Sequence, residues 1–79
     1  MEPLQILYKD DFLIAIDKPA GMLVHANSET ESSKWVAMKR LRDQVGRHVF
    51  PTHRLDRPTS GVLLFALDKR TAGFLQQAF

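Results

Sequence analysis

The densest group of chemically capable side chains is a carboxylate, Asp56, flanked by the arginines Arg54 and Arg57. Nearby positive charge favours the ionised form of a carboxylate. An ionised carboxylate on a rigid element can act as a nucleophile or can stabilise a cationic sugar centre. The two guanidinium groups can bind phosphates through paired hydrogen bonds. The simpler alternative is an arginine–aspartate pair on a surface turn, which contributes little to stability.

Other chemistries find less support in the residues around Asp56. The run Thr59-Ser60-Gly61 fits an anion-binding nest or, more simply, a turn. Aspartic-protease and glycosidase mechanisms need two carboxylates, and residues 52–61 contain one. The histidines His48 and His53 have no third ligand at metal-binding spacing, and the chain has no cysteine. We therefore predict neither a metal site nor a disulfide.

The distribution of charge is more informative than the net charge of +2 in this 79-residue chain. Residues 1–31 contain two basic and six acidic side chains, whereas residues 32–79 contain nine basic and three acidic ones. This asymmetry indicates a polyanionic partner for the second half, although a solvated charged helix would also explain it. The longest apolar run, residues 62–67, is far shorter than the roughly 18 residues of a membrane span. We expect a soluble, cytoplasmic protein.

The spacing of apolar residues predicts the strands and helices that would position these side chains. Alternation from Leu4 to Tyr8 predicts a half-buried strand, and turn residues before the apolar run 12–16 predict a hairpin. Helical spacing predicts a helix over residues 34–45, capped by Ser32 or Ser33 and ended by Gly46. Residues 62–67 are apolar on both faces and predict a central, covered strand. Asp68 is expected to cap a final helix, and Trp35, Met22 and Met38 are expected to fill the core.

Two motifs together resemble a known family. The run from His53 to Leu64, His-Arg-Leu-Asp-Arg-Pro-Thr-Ser-Gly-Val-Leu-Leu, resembles the catalytic motif of the RluA family of pseudouridine synthases, His-Arg-Leu-Asp-x-x-Thr-Ser-Gly followed by an apolar strand. The stretch from Ile6 to Gly21 is similar to that family's first motif, with its Lys-Pro-x-Gly turn. The resemblance implies an α+β fold, the N-terminal part of a mixed, mainly antiparallel sheet.

The resemblance also implies an activity, the isomerisation of a uridine in RNA to pseudouridine without a cofactor. Asp56 matches the family's essential aspartate, which either attacks the sugar or removes a C2′ proton. Arg54 matches the arginine that fills the space left by the flipped base. The run from Gln44 to Phe50 most resembles members that act on tRNA, at uridine 65. We predict an RNA partner, tRNA in particular, and no membrane partner. Further backbone contacts are predicted at Arg57, Arg47, Arg40 and Arg42, with motif support from His53, Thr59, Ser60 and Gly61.

One departure from the family concerns the C-terminal side. The family places a uracil-stacking tyrosine in a Lys-x-Tyr segment beyond the final helix, and a basic partner for the aspartate later still. Both positions would lie beyond Phe79, and the only tyrosine, Tyr8 in the first strand, cannot be carried over to the stacking role. Residues 1–79 are therefore interpreted as the N-terminal portion of a single catalytic domain, truncated after Phe79 and inactive alone. The alternatives are an RNA-binding module without catalysis and an inert truncated product.

Overall fold

The computed structural model describes residues 3–25, 35–53 and 55–78. Four strands form one sheet with the order β1-β2-β4-β3, and each neighbouring pair is antiparallel. A parallel bridge between Leu23 and Val36 lies outside these strands. The predicted α+β class with a mainly antiparallel sheet is confirmed. The elements are β1 (Gln5–Lys9), β2 (Leu13–Lys18), α1 (Ala37–Val45), β3 (Phe50–Pro51), β4 (Gly61–Ala66) and α2 (Lys69–Ala78).

The β1–β2 hairpin forms around Asp10, as predicted. Its carboxylate accepts hydrogen bonds from the backbone N–H groups of Phe12 (2.8 Å) and Leu13 (2.9 Å) and from the Tyr8 hydroxyl (2.8 Å). The bonds from Phe12, Tyr8 and Leu13 lower the pKa of Asp10. An aspartate that binds the backbone ahead of it favours a tight turn, which fixes the register of the two strands.

The prediction that β1 is half-buried is wrong. All five of its residues are exposed, including Ile6, Leu7 and Tyr8, whereas the preceding Leu4 is buried. β1 is an edge strand whose sheet partner is β2, and its register shifts between Ile6 and Tyr8. The edge position accounts for the exposure of the strand, and the bulge also interrupts the alternation of its two faces.

The core lies between the central strands and α1. Ile14 and Ile16 of β2 and Leu63 and Phe65 of β4 are fully buried and cluster with Leu41 of α1. The predicted central position of β4 is confirmed. Coverage of both its faces is wrong at the start of the strand, because Val62 is 58% exposed.

The helix α1 begins at Ala37, three residues later than predicted. The residue before it, Val36, is extended, and the carbonyls of Leu23 and Val24 accept hydrogen bonds from Ala37 N (2.7 Å) and Met38 N (2.9 Å). These bonds satisfy helix N–H groups that a capping side chain would otherwise serve. The predicted caps, Ser32 and Ser33, lie outside the described residues.

The ends of the helices otherwise follow the predicted chemistry. Gly46 ends α1 with φ of 74° and donates its N–H to Arg42 O at 2.8 Å, a left-handed conformation that glycine adopts without strain. Asp68 caps α2, because its carboxylate accepts bonds from Thr71 N (2.7 Å) and the Thr71 hydroxyl (3.0 Å). These two bonds lower the pKa of Asp68. Neither described helix is long and apolar enough to cross a membrane.

Candidate active site

The signature loop, residues 52–60, leaves β3 and returns to the start of β4. At the N-terminal end of the loop, two side chains extend the hydrogen bonding with β4 beyond the two residues of β3. The Thr52 hydroxyl donates to Leu64 O at 2.9 Å, and Leu64 N donates to His53 Nε2 at 3.1 Å. The central strand β4 thus has both backbone groups of Leu64 satisfied by the loop.

The bond from Leu64 N defines the protonation state of His53. An imidazole nitrogen that accepts a hydrogen bond carries no proton, so the bond requires the neutral ring. Burial lowers the pKa of His53 below its ordinary value, which favours the same neutral form. His53 therefore acts as a fixed acceptor that attaches the loop to the sheet.

The far end of the signature loop is anchored to the Lys-Pro turn, residues 18–21. The Arg57 carbonyl accepts hydrogen bonds from Gly21 N (2.7 Å) and from Lys18 Nζ (3.1 Å). In return, Arg57 Nε donates to Gly21 O at 3.0 Å. The two motifs of the sequence are thus joined by three hydrogen bonds immediately after Asp56.

Lys18 is the most deeply placed charged group of this anchor. Its side chain is fully buried, and Nζ also donates to Pro19 O at 3.0 Å. Desolvation lowers the pKa of Lys18. A buried amine is costly unless it is hydrogen-bonded, and two carbonyl acceptors meet that need. Gly21 supports the same geometry, because its φ of 90° is strained for any residue with a Cβ.

Asp56 lies between the two anchors and is exposed to solvent. Its carbonyl accepts a hydrogen bond from Thr59 N at 2.8 Å, which closes a turn over residues 56–59. The arrangement presents a carboxylate on a short loop that is fixed to β4 before Asp56 and to the Lys-Pro turn after it. Such a carboxylate is accessible to a large substrate while its backbone is held in place.

The other predicted site residues that the structure describes fall into three groups. Thr59 and Ser60 are exposed in the signature loop, and Gly61 begins β4 opposite Lys18. Arg42 and Arg47 line one groove with His48, where Arg42 pairs with Asp43 at 3.2 Å and Arg47 donates to Leu67 O at 3.1 Å. Arg40 lines a separate groove beside the Lys-Pro turn. Arg54 lies outside the described residues.

Sequence reasoning did not single out Lys18 and Thr52 as site residues. Lys18 lies two residues after Ile16 and four after Ile14, which are fully buried, so its spacing from these residues was the available signal. The expectation that Trp35 fills the core is also wrong, since its side chain is 48% exposed, whereas Met22 is buried and Met38 is partly buried against the core.

The fold agrees with comparisons to known proteins. A family model for RNA pseudouridylate synthase matches residues 12–79. The chain belongs to the RNA pseudouridylate synthase family.

Individual relatives place the chain more closely within this family. It is 59% identical over 76 residues to tRNA pseudouridine synthase C of Haemophilus ducreyi, covering 96% of this chain and 31% of that protein. The corresponding protein of Vibrio cholerae is 53% identical, again over 96% of this chain and 31% of that protein. The chain therefore spans about a third of the length of these relatives.

Solved structures show the same fold. The structure of human RNA pseudouridylate synthase domain containing 4 aligns with a TM-score of 0.73 and 32% identity over 95% of this chain and 29% of that chain. Human RNA pseudouridylate synthase domain containing 1 aligns with a TM-score of 0.70 and 28% identity over 92% of this chain and 28% of that one.

Proposed function

We propose that this chain carries the catalytic aspartate of an enzyme that isomerises a specific uridine in RNA to pseudouridine. The observation that carries the proposal is the exposed Asp56 on a loop fixed at both ends, by His53 and Thr52 to β4 and by Arg57 to the Lys-Pro turn. Because the matched relatives are about three times as long, the activity is proposed for the complete product of the reading frame. Residues 1–79 are its part of a single catalytic domain.

The reaction is an isomerisation that replaces one bond between base and sugar by another and leaves the composition of the nucleotide unchanged. The N1–C1′ bond of uridine breaks, the uracil turns, and C5 forms a new bond to C1′ as N1 gains a proton and C5 loses one. Asp56 acts at the sugar, either by attacking C1′ or by removing a C2′ proton that is later returned. Either role needs the carboxylate to lie beside the ribose, and the exposed position of Asp56 leaves it accessible to the RNA.

Recognition of the RNA is proposed to depend on arginines. A stacked nucleotide must be flipped out before its sugar edge can be reached, which costs a few kcal/mol. We assign Arg54 to the space that the base leaves, and Arg57, Arg47, Arg40 and Arg42 to contacts with the backbone that help offset this cost. The substrate is proposed to be tRNA, because the similar relatives are named tRNA pseudouridine synthase C. Uridine 65 is the proposed target, as the resemblance of residues 44–50 implies. Because the proposed substrate is tRNA, we also propose that the enzyme acts in the cytoplasm.

The test replaces Asp56 by Asn in the product of the complete reading frame. The substitution keeps the size of the side chain and removes its charge, so tRNA affinity should stay within about twofold while pseudouridine formation falls by at least about a thousandfold. The matched control is Asp11→Asn in the exposed turn between β1 and β2, which should retain activity. Undiminished turnover by the Asp56→Asn protein would refute the role of Asp56.

A further inference from the structure

A groove beside the Lys-Pro turn is not used by the chemistry proposed for Asp56. It has a volume of about 450 Å³, which is sufficient for a nucleotide-sized ligand. Its lining includes the turn residues Pro19 and Ala20, the paired strand residues Asp17 and Gln5, Trp35 before α1 and Arg40 within α1. We call it the base groove.

Trp35 is the unusual member of this lining. Its indole is 48% exposed, although the next residue, Val36, is fully buried. The backbone at Trp35 is fixed, because its carbonyl accepts a hydrogen bond from Leu23 N at 2.9 Å. A large exposed aromatic ring on an anchored backbone is a platform on which a nucleobase can stack.

The polar groups of the base groove suit a base better than a phosphate. Asp17 is exposed on β2, opposite Gln5 of β1. A carboxylate repels phosphate but accepts hydrogen bonds from the N–H groups of a base edge. Arg40 adds a guanidinium group to the same lining, which can stack on a base or contact the phosphate that follows it.

The base groove is connected directly to the signature loop. Pro19 and Ala20 line it, and the next residue of the same turn, Gly21, exchanges two hydrogen bonds with Arg57. An RNA strand whose target ribose lies at Asp56 therefore has a second recognition surface on the adjoining turn. Single-stranded and unstacked bases are the elements that proteins read by stacking and edge hydrogen bonds.

We propose that the base groove binds one unstacked base of the RNA substrate, and that Asp17 makes guanine the preferred base. Guanine presents two adjacent N–H donors on its Watson–Crick edge, which match the two oxygens of a carboxylate, whereas uracil presents one donor between two carbonyls. The inference rests on the proposed function only in taking RNA as the ligand.

The experiment measures binding of radiolabelled GMP and UMP to the full chain by equilibrium dialysis. GMP should bind at least about fivefold more tightly than UMP, which corresponds to one well-formed pair of edge contacts. Trp35→Ala should weaken GMP binding by about fivefold or more, since stacking is lost. Phe12→Ala is the matched control, an exposed aromatic residue outside the groove, and should leave binding unchanged.

A second pair of variants tests the edge contact separately from stacking. Asp17→Ala should reduce the ratio of GMP to UMP affinity to about one, whereas Asp11→Ala, an exposed carboxylate in the hairpin turn, should keep it. Equal affinities for GMP and UMP in the unmodified chain, or full GMP affinity in Trp35→Ala, would overturn the inference. Neither result bears on loss of turnover in Asp56→Asn, so the two proposals fail independently.

Discussion

Lys18 shows at the scale of one residue how the candidate site depends on a buried group. Its amine links the Lys-Pro turn to the carbonyl of Arg57, directly after the proposed catalytic aspartate. The spacing of Lys18 from Ile14 and Ile16 is compatible with an inward position but identifies no partner. The partner is 39 residues away in sequence, and no local rule predicts such a contact.

We predict that Lys18→Met lowers the free energy of unfolding by about 1–3 kcal/mol, because hydrogen bonds from a charged group to the Arg57 and Pro19 carbonyls are lost. Methionine fills a similar volume, so a cavity adds little to the effect. Urea unfolding measures the change, with Lys9→Met on the exposed strand β1 as the control. Equal stability of Lys18→Met and the unmodified chain would show that the buried amine does not hold the two motifs together.

His53 provides a prediction about pH. Burial lowers its folded-state pKa below the ordinary value of 6.5, so the unfolded chain binds a proton more readily than the folded one. Stability is therefore full above about pH 6.5 and falls as the pH decreases toward the folded pKa, where the bond from Leu64 N to the neutral ring is lost.

The measurement is the free energy of unfolding at pH 7.5 and pH 5.5 in three proteins. His53→Gln retains an acceptor but cannot titrate, so we predict a smaller loss of stability between the two pH values than in the unmodified chain. His48→Gln removes an exposed imidazole and should leave the loss unchanged. An unaltered pH dependence in His53→Gln would contradict the role of the neutral ring.

At the scale of elements, the features that the sequence predicted depend on local chemistry, and the features that it missed depend on tertiary packing. The Asp10 turn, the Gly46 terminus of α1 and the Asp68 cap of α2 were predicted because each depends on neighbouring residues. The exposure of β1 and the start of α1 at Ala37 were not, because they depend on an edge position and on carbonyls supplied by residues 23–24. The pairing of β4 with Thr52 and His53 is also set by tertiary contacts.

Two glycine substitutions test whether the Lys-Pro turn needs a residue with positive φ, and the second, in the helix α2, serves as the comparison. Gly21→Ala should destabilise the chain by about 1–2 kcal/mol, because φ of 90° is strained for alanine although no atom lies within 4 Å of the added Cβ. Gly73→Ala, within α2 and equally open, should stabilise it by about 0.5–1 kcal/mol. Thermal unfolding compares both. Stabilisation by Gly21→Ala would show that the turn does not need its left-handed residue.

At the scale of the whole molecule, the uneven distribution of charge gives the proposed RNA contacts a physical basis. Nine of the eleven basic residues lie in residues 32–79, and Arg42 and Arg47 line one groove. Arg47 also donates to Leu67 O, so its substitution would affect folding as well as binding. Arg42 pairs with Asp43 on the surface, an interaction that adds little stability.

We predict that Arg42→Gln weakens tRNA binding and reduces the slope of log affinity against log salt concentration by about one, as expected for the loss of one phosphate contact. Lys9→Gln, in the acidic half of the chain, should leave the slope unchanged. Filter binding of tRNA to the product of the complete reading frame at several salt concentrations measures both. Identical slopes for Arg42→Gln and the unmodified protein would remove Arg42 from the interface.

The central claim is that the Asp56 carboxylate performs the chemistry and that its two anchors hold it in position. The most direct measurement is the single-turnover rate of pseudouridine formation in tRNA by the complete product, compared with its Asp56→Asn and Lys18→Met variants. We expect no detectable product from Asp56→Asn, and a reduced but measurable rate with unchanged tRNA affinity from Lys18→Met. Formation of pseudouridine by Asp56→Asn at the unmodified rate would contradict the claim.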